Sequence, residues 1–206
     1  MELERAGASS HLDIACGPGT FIGNYKAGSD AIGIDMAGGQ ISYAQSTYGS
    51  RDHSFMEMEI VADTEFARTF DGVTLIEFIE HVTPEVTSMC LDVARRHLNP
   101  DGVIVLTTPN YRGLWPVLEW GIAKFANGLQ YDQQHITLWN KRKLRKFLKA
   151  NGFEIVTMEG LQGIACFAAP FNWGFAQFFA RADRFIVRRA GFLILAVIRP
   201  ISNRAS

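Results

Sequence analysis

The chain has 206 residues, of which 48% are hydrophobic and 20% charged, and its 20 lysines and arginines nearly balance 21 aspartates and glutamates. This composition is typical of a globular protein with a substantial core and excludes a wholly disordered or collagen-like chain. The net charge of -1 gives no overall positive field, so nucleic acid is disfavoured as a partner.

Apolar runs alternate with helical segments along the first half of the chain. We predict strands at 11–16, 31–35, 54–58, 70–77 and 102–108, helices at 20–26, 40–48 and 84–98, and a turn at 99–102 that ends the third helix. After a pause beyond residue 109, a basic helix at 140–150 and strands at 152–158 and 192–198 follow. Strands that alternate with helices predict a single α/β domain over residues 1–206, with a Rossmann-like, mostly parallel seven-stranded sheet and helices on both faces.

The segment DIACGPGTF joins the first strand to the first helix. Gly17 and Gly19 leave the backbone open to a nucleotide ligand and tolerate the positive φ that such turns need. The NAD fingerprint GxGxxG would require a third glycine where the chain has Ile22. Asp13, at the end of the strand, would repel a pyrophosphate but suits a ligand with a cationic amino group. S-adenosylmethionine (SAM) is such a ligand.

A second carboxylate, Asp35, ends the next strand about 20 residues further on, where it can accept hydrogen bonds from both ribose hydroxyls of a nucleoside. It could instead cap the following helix. With these two motifs the chain resembles the class I SAM-dependent methyltransferases, and within them the small-molecule branch that includes the ubiquinone-biosynthesis O-methyltransferases. The matching segments, in the order and at the spacing of that family, are HLDIACGPGTF, IGIDMA, FDGVTLIEFIEHV, LNPDGVIVLTTPN and HITLWNKRKLRKFLKANGFEIV.

The resemblance implies SAM as cofactor, an antiparallel last strand and a set of cofactor-binding residues. These are Asp13, Ala15, Cys16, Gly17 and Gly19 at the methionine end, Asp35 at the ribose, Met36 on the adenine face, Glu59 and Ile60 at the adenine edge, and Glu77 near the methionine amine. Ala15 replaces the first glycine of the motif, a mild change if its φ is negative. Glu59 replaces the usual aspartate and could instead be a solvated surface residue.

The family usually covers the cofactor with a helix or two before the first strand, whereas only residues 1–10 precede that strand here. Either the site is unusually open, or another segment or a second subunit closes it. A homodimer is therefore one of the arrangements we consider.

Methyl transfer from a sulfonium mainly requires alignment of the nucleophile and exclusion of water, but an oxygen nucleophile of high pKa also needs a base or a metal ion. We predict His81 of EFIEHV and His135 of QQHITLW as the catalytic bases. Either could instead be a hydrogen-bonded structural histidine.

A metal site is the alternative use of the same residues, although none is predicted firmly. By resemblance to ubiquinone-type and small-RNA methyltransferases, the four candidate ligands are Glu77, Glu80, His81 and His135. Imidazoles would suit Mn, Fe, Co or Zn better than Mg. The Glu-His pair also occurs in relatives not known to need a metal.

Residues 110–134 and 160–190 are rich in aromatic side chains, and we predict them to be acceptor-site or lid elaborations. They form either a buried helix face or the wall of a pocket for a flat or greasy acceptor. Arginines that follow the second aromatic stretch also resemble an interfacial helix, which would allow peripheral contact with an anionic membrane.

Three cysteines, Cys16, Cys90 and Cys166, include no CxxC pair and indicate reduced thiols. The amino terminus lacks the pattern of a signal peptide, so we expect a cytoplasmic location, with the inner membrane as a peripheral contact. Residues 160–180 are uncharged, but polar and helix-breaking residues interrupt them, and we expect no membrane span there.

Together these features predict a SAM-dependent methyltransferase that acts on a small, aromatic or lipophilic acceptor, on oxygen. The rival functions are a metal-dependent 3′-terminal RNA ribose 2′-O-methyltransferase and a non-catalytic protein that only binds SAM.

Overall fold

The computed structural model describes residues 3, 7–25, 30–116, 119, 135–163 and 184–201. The elements in this part of the chain are β1 (Ser10–Ile14), α1 (Thr20–Asn24), β2 (Asp30–Asp35), α2 (Gly38–Tyr48), β3 (His53–Glu57), β4 (Phe70–Ile76), α3 (Pro84–Arg96), β5 (Leu98–Pro109), α4 (Lys141–Ala150), β6 (Phe153–Leu161), α5 (Arg184–Ala190) and β7 (Leu193–Pro200).

The seven strands form one sheet in the order β3-β2-β1-β4-β5-β7-β6. Pairs from β3 to β5 are parallel, and β7 is antiparallel to both β5 and β6. The predicted α/β class, with a mostly parallel sheet and an antiparallel last strand, is therefore confirmed. The strand order reverses between β1 and β4, and this switch point opens a crevice at the carboxyl ends of the strands.

The central strands are buried on both faces, as the apolar runs of a parallel sheet require. Val73 and Leu75 of β4 and Ile104 and Leu106 of β5 are fully buried in the main core. The same core includes Trp139, which lies just before α4. The packed strands and the segment before α4 thus hold the loops at the carboxyl ends of the strands in place.

One predicted boundary is wrong. Residues 99–102 were expected to form a turn that ends the third helix, but α3 ends at Arg96 and β5 begins at Leu98. The β4–β5 register moves from Phe70–Leu98 to Gly72–Val103, so residues 99–102 form a bulge within the strand pair. Asn99 Nδ2 donates to Asp71 Oδ1 at 2.6 Å, which holds the bulge against β4.

Most of the two predicted elaborations, 110–134 and 160–190, lie outside the described residues, as does most of the uncharged stretch 160–180. Among the helices that the structure describes, none combines the length and the apolar character needed to cross a bilayer. The extent of the domain remains a prediction.

Candidate functional site

The loop after β1, which we call the glycine turn (residues 15–19), has three residues in the left-handed region. Their φ angles are +59° at Ala15, +54° at Gly17 and +73° at Gly19. The replacement of the motif's first glycine by Ala15 would be mild only at a negative φ, and at this positive φ its Cβ costs about 1 kcal/mol relative to glycine. The N–H of Cys16 donates to the Ile34 carbonyl at 2.9 Å and so anchors the turn to β2.

Cys16 contributes its backbone and a small buried side chain to this turn. Burial, with the nearby Asp13 and Asp35 carboxylates, raises the pKa of its thiol to about 12. The thiol therefore stays protonated and unreactive near neutral pH.

Asp35 links the glycine turn to the start of α2. Its Oδ2 accepts the Gly17 N–H at 2.9 Å and its Oδ1 accepts the Ala37 N–H at 2.9 Å. The N-cap of α2 is Ala37, so Asp35 is not the helix cap that the sequence left as an alternative. Each carboxylate oxygen keeps a second lone pair that can accept a ligand hydroxyl.

A cavity of about 330 Å³ lies beside Asp35 at the carboxyl ends of the strands. Its walls are mostly apolar and are formed by Ile14, Ala15, Ile34, Asp35, Met36, Met58, Glu59, Ile60, Phe78, Val82, Val86 and Cys90. Two carboxylates and no cationic side chain occur among these lining residues. Met36 is 71% exposed, so a large apolar side chain stands uncovered at the rim.

This donor set fits an adenosyl group better than a diphosphate. Apolar walls suit the faces of a purine, and Asp35 and Glu59 can accept hydrogen bonds from hydroxyl and amino groups. A diphosphate would instead meet two negative charges. The residues present therefore fit the adenosine part of SAM.

Asp13 is buried at the end of β1, with 1% of its surface exposed. Thr74 Oγ1 donates to its Oδ1 at 2.5 Å, and His11 Nε2 lies 2.7 Å from the same Thr74 oxygen. Burial, with a smaller contribution from the Asp35 charge, raises the pKa of Asp13 to about 7, although the Thr74 hydrogen bond opposes the rise. A cationic amine nearby would favour the charged carboxylate.

His11 and Thr74 were not recognised as part of the site from the sequence. Burial lowers the pKa of His11 to about 3, so its ring is neutral. Because the Thr74 proton goes to Asp13, His11 Nε2 carries a proton and donates to Thr74. The available signal was strand register, since Thr74 of β4 pairs directly with Asp13 of β1.

Glu77 and Glu80 follow β4 and are held by threonines at the end of β5. Thr107 Oγ1 donates to Glu77 Oε1 at 2.6 Å, and Thr108 Oγ1 donates to Glu80 Oε2 at 3.0 Å. Burial, with the negative charge of Glu77, raises the pKa of Glu80 to about 8. Glu80 therefore holds a proton at neutral pH unless a cation lies beside it.

His135 is brought to the same place by the residues that follow it. The N–H groups of Ile136 and Thr137 donate to the Glu80 carbonyl at 2.8 and 3.0 Å. Thr137 Oγ1 donates to the Val82 carbonyl at 2.7 Å, and Trp139 Nε1 donates to the Ile79 carbonyl at 3.0 Å. These four bonds fix residues 136–139 against residues 79–82.

The result is a group of three side chains, Glu80, His81 and His135, which we call the histidine cluster. One potential ligand atom from each lies within 4.8 Å of the others. The two imidazole rings are 5.0 Å apart between centroids. Three of the four predicted metal-ligand candidates are thus together, whereas Glu77 is not a member of this group.

Two aromatic residues beside His135 were noted in the sequence only as parts of the segment after β5. The Tyr111 hydroxyl lies 2.5 Å from His135 Nδ1, and the Trp115 ring lies 5.9 Å from the His135 ring. Burial and His81 lower the pKa of His135, so its ring is neutral at pH 7 and can accept a proton.

Comparison with known proteins identifies the family of the chain. A family model described as a methyltransferase domain matches residues 2–158. The ubiquinone biosynthesis O-methyltransferase of Azorhizobium caulinodans is 35% identical over 104 residues, which are 48% of this chain and 40% of that protein. The match thus spans less than half of the relative's length.

Solved structures resemble the chain over nearly all of its length. A SAM-dependent methyltransferase from Clostridium acetobutylicum has a TM-score of 0.68 at 13% identity and covers 98% of this chain and 88% of its own. The magnesium protoporphyrin IX methyltransferase of Synechocystis PCC 6803, with bound SAH, has a TM-score of 0.63 at 16% identity and covers 96% and 78%. At these identities the likeness establishes the fold.

The predicted family and its SAM cofactor are confirmed, because the family model extends over well more than half of the sequence. The sheet order, the glycine turn and the acidic strand ends agree with that match. The chain therefore belongs to the methyltransferase domain family, as a class I SAM-dependent methyltransferase.

Proposed function

We propose that the chain transfers the methyl group of SAM to an oxygen atom of a small, aromatic or lipophilic acceptor. The observation that carries this proposal is that residues 77–82 contribute to two features at once. Phe78 and Val82 line the cavity, while Glu80 and His81 belong to the histidine cluster. A proton acceptor is therefore adjacent to the cofactor cavity. The similarity to a ubiquinone biosynthesis O-methyltransferase supports oxygen as the methylated atom.

The lining of the cavity supports the following cofactor roles. Asp35 would accept the ribose hydroxyls, Met36 would cover one adenine face, and Glu59 with Ile60 would contact the adenine edge. The methionine end would lie along the glycine turn, near Asp13 and Glu77. When bound, SAM supplies an activated methyl group on its sulfonium.

The protein's own chemical task is to bind the acceptor, exclude water and remove a proton. His135 is neutral at pH 7, so it can accept the hydroxyl proton of the acceptor. Glu80 is the buried member of the cluster, and its carboxylate, once ionised, would stabilise an imidazolium that forms beside it. His81 is the second candidate base at the same place.

The direct test is an acceptor panel of phenols and lipophilic phenols, with amine and thiol analogues of the same shape. Methylated product and SAH are measured by mass spectrometry. His135→Gln and His81→Gln should lower kcat by about 10²- to 10⁴-fold if the replaced histidine is the base. Asp92→Ala, at an exposed residue of α3, is the control and should keep full activity.

Three outcomes would contradict this proposal. Methylation of only the amine or thiol analogues would exclude an oxygen acceptor. Full activity of both histidine variants would exclude the histidine cluster as the base. SAM binding without product from any acceptor would favour a protein that binds SAM but no longer transfers its methyl group.

The histidine cluster also supports a second candidate, a metal-dependent 3′-terminal RNA ribose 2′-O-methyltransferase. Its carboxylate and two imidazoles could hold a divalent ion, with Mn, Fe, Co or Zn preferred. A bound cation would keep Glu80 ionised despite its burial. Activity on RNA 3′ ends that is abolished by EDTA and restored by Mn²⁺, without activity on phenols, would select this candidate.

A further inference from the structure

Tyr111 is fixed beside the histidine cluster immediately after β5. Its backbone N–H donates to the Trp139 carbonyl at 2.9 Å, which ties it to the same segment that positions His135. The Tyr111 and His135 rings meet at 88°, with centroids 6.0 Å apart. The phenol hydroxyl faces His135 Nδ1 at 2.5 Å and Glu119 Oε1 at 3.4 Å.

We propose that Tyr111 is a positioning residue that holds His135 in the tautomer with the proton on Nδ1, which leaves Nε2 as the proton acceptor. In this arrangement Nδ1–H donates to the Tyr111 oxygen and the Tyr111 O–H donates to Glu119. The consequence for methyl transfer rests on the proposed function, but the tautomer itself does not.

The choice between the two tautomers follows from counting hydrogen bonds. A phenol hydroxyl has one proton to donate and lone pairs to accept with. If His135 donates from Nδ1, both observed contacts become hydrogen bonds. If Tyr111 donates to Nδ1 instead, the Glu119 contact has no proton, and His135 Nε2 becomes a donor that cannot act as a base.

The neighbouring indole agrees with the first arrangement. The Nε1 atom of Trp115 is buried and has no hydrogen-bond partner among the described residues, so it does not compete with Nδ1–H of His135 for the Tyr111 oxygen.

The tautomer matters because only an unprotonated Nε2 can take a proton from an acceptor. Partners that orient a histidine through its other ring nitrogen are worth about 10- to 100-fold in activity at metal sites, and we expect the same range here. Since Tyr111 acts through His135, its loss should lower kcat and leave KM nearly unchanged.

The test is ¹⁵N NMR of histidine-labelled protein without ligands, with His135 assigned by its absence from His135→Gln. We expect a protonated Nδ1 and an unprotonated Nε2 in the wild type, and a shift toward protonated Nε2 in Tyr111→Phe. Tyr43→Phe, a change at an exposed tyrosine of α2, is the control and should keep the wild-type signals. Urea unfolding confirms that each variant is folded.

A protonated Nε2 in the wild type would overturn the inference, as would a Tyr111→Phe variant with unchanged tautomer and unchanged kcat. Glu119→Gln keeps an acceptor oxygen but loses the negative charge. A tautomer population and a kcat between those of the wild type and Tyr111→Phe would support the chain of hydrogen bonds. Activity on nitrogen alone would refute the proposed function, while the NMR result would still decide the tautomer.

Discussion

Replacing Asp35 by alanine should weaken SAM binding more than any other single change at the cavity. Its carboxylate is available to two ribose hydroxyls, and a hydrogen bond to a charged group contributes about 1.5 to 3 kcal/mol. The loss of both should therefore cost at least about 3 kcal/mol, which is about 150-fold or more in Kd. Isothermal titration calorimetry with SAM and with SAH measures this change directly.

The same substitution removes the acceptor for the Gly17 and Ala37 N–H groups, each of which donates to Asp35 at 2.9 Å. Because Asp35 is only partly buried, water can replace part of this loss, and the free energy of unfolding should fall by about 1 to 2 kcal/mol. Urea unfolding separates this loss from the loss of affinity.

Asp92→Ala is the matched control, because Asp92 lies on α3 in an exposed pair with Arg95 at 3.6 Å. It should change neither SAM affinity nor, by more than about 1 kcal/mol, stability. A folded Asp35→Ala protein that binds SAM as tightly as the wild type would refute the assignment of Asp35 to the ribose.

Four further substitutions test Asp13 and the glycine turn. The pKa of Asp13 in the folded protein is raised to about 7, so the stability contributed by its protonated form is lost as pH rises toward that value. The free energy of unfolding in urea, measured from pH 4 to 8, should therefore vary less with pH in Asp13→Asn than in the wild type. The cationic amine of SAM favours ionised Asp13, so calorimetry should find tighter SAM binding at pH 8 than at pH 6. The same pH dependence of SAM affinity in Asp13→Asn would contradict this role of Asp13. Ala15→Gly relieves a φ of +59° and should gain about 0.5 kcal/mol in urea unfolding, whereas a loss of 1 kcal/mol would mean that no strain exists. Gly19→Ala places a Cβ 2.6 Å from Phe55 and should lower the free energy of unfolding by about 2 kcal/mol or more. Gly17→Ala places its Cβ 3.0 Å from the Gln40 side chain alone and should lower it by about 1 kcal/mol. Equal losses of stability would contradict this packing.

The arrangement of the residues proposed to bind the cofactor could be predicted because it is local in the sequence. Asp13, the glycine turn and Asp35 follow each other along β1, the loop and β2, so spacing alone indicates that they meet. The φ of Ala15 could not be read from its residue type, since alanine is ordinary in the sequence and unusual only in this conformation. The bulge at residues 99–102 was missed because its turn residues also suit a helix end.

The histidine cluster, which we propose to act on the acceptor, depends on contacts between distant segments. His81 and His135 were recognised by residue type, but their meeting requires the bonds from residues 136–139 to residues 79–82. Tyr111 and Trp115 carried no motif of their own, and only the position of Tyr111 after β5 could have pointed to it. The partners of the acidic residues, Thr107 and Thr108, became visible only through the parallel pairing of β4 and β5.

The bonds that fix residues 136–139 reach main-chain carbonyls of Ile79, Glu80 and Val82, so they do not depend on which side chains those three positions carry. The exposed side chain of His81 can therefore be exchanged in a mutant library while His135 stays in place, whereas Ile79 and Glu80 are buried and should be kept. Thr137 and Trp139 supply the side-chain share of the attachment and should be held constant in such a library. The attachment of His135, the proposed base, is thereby independent of the His81 side chain beside it.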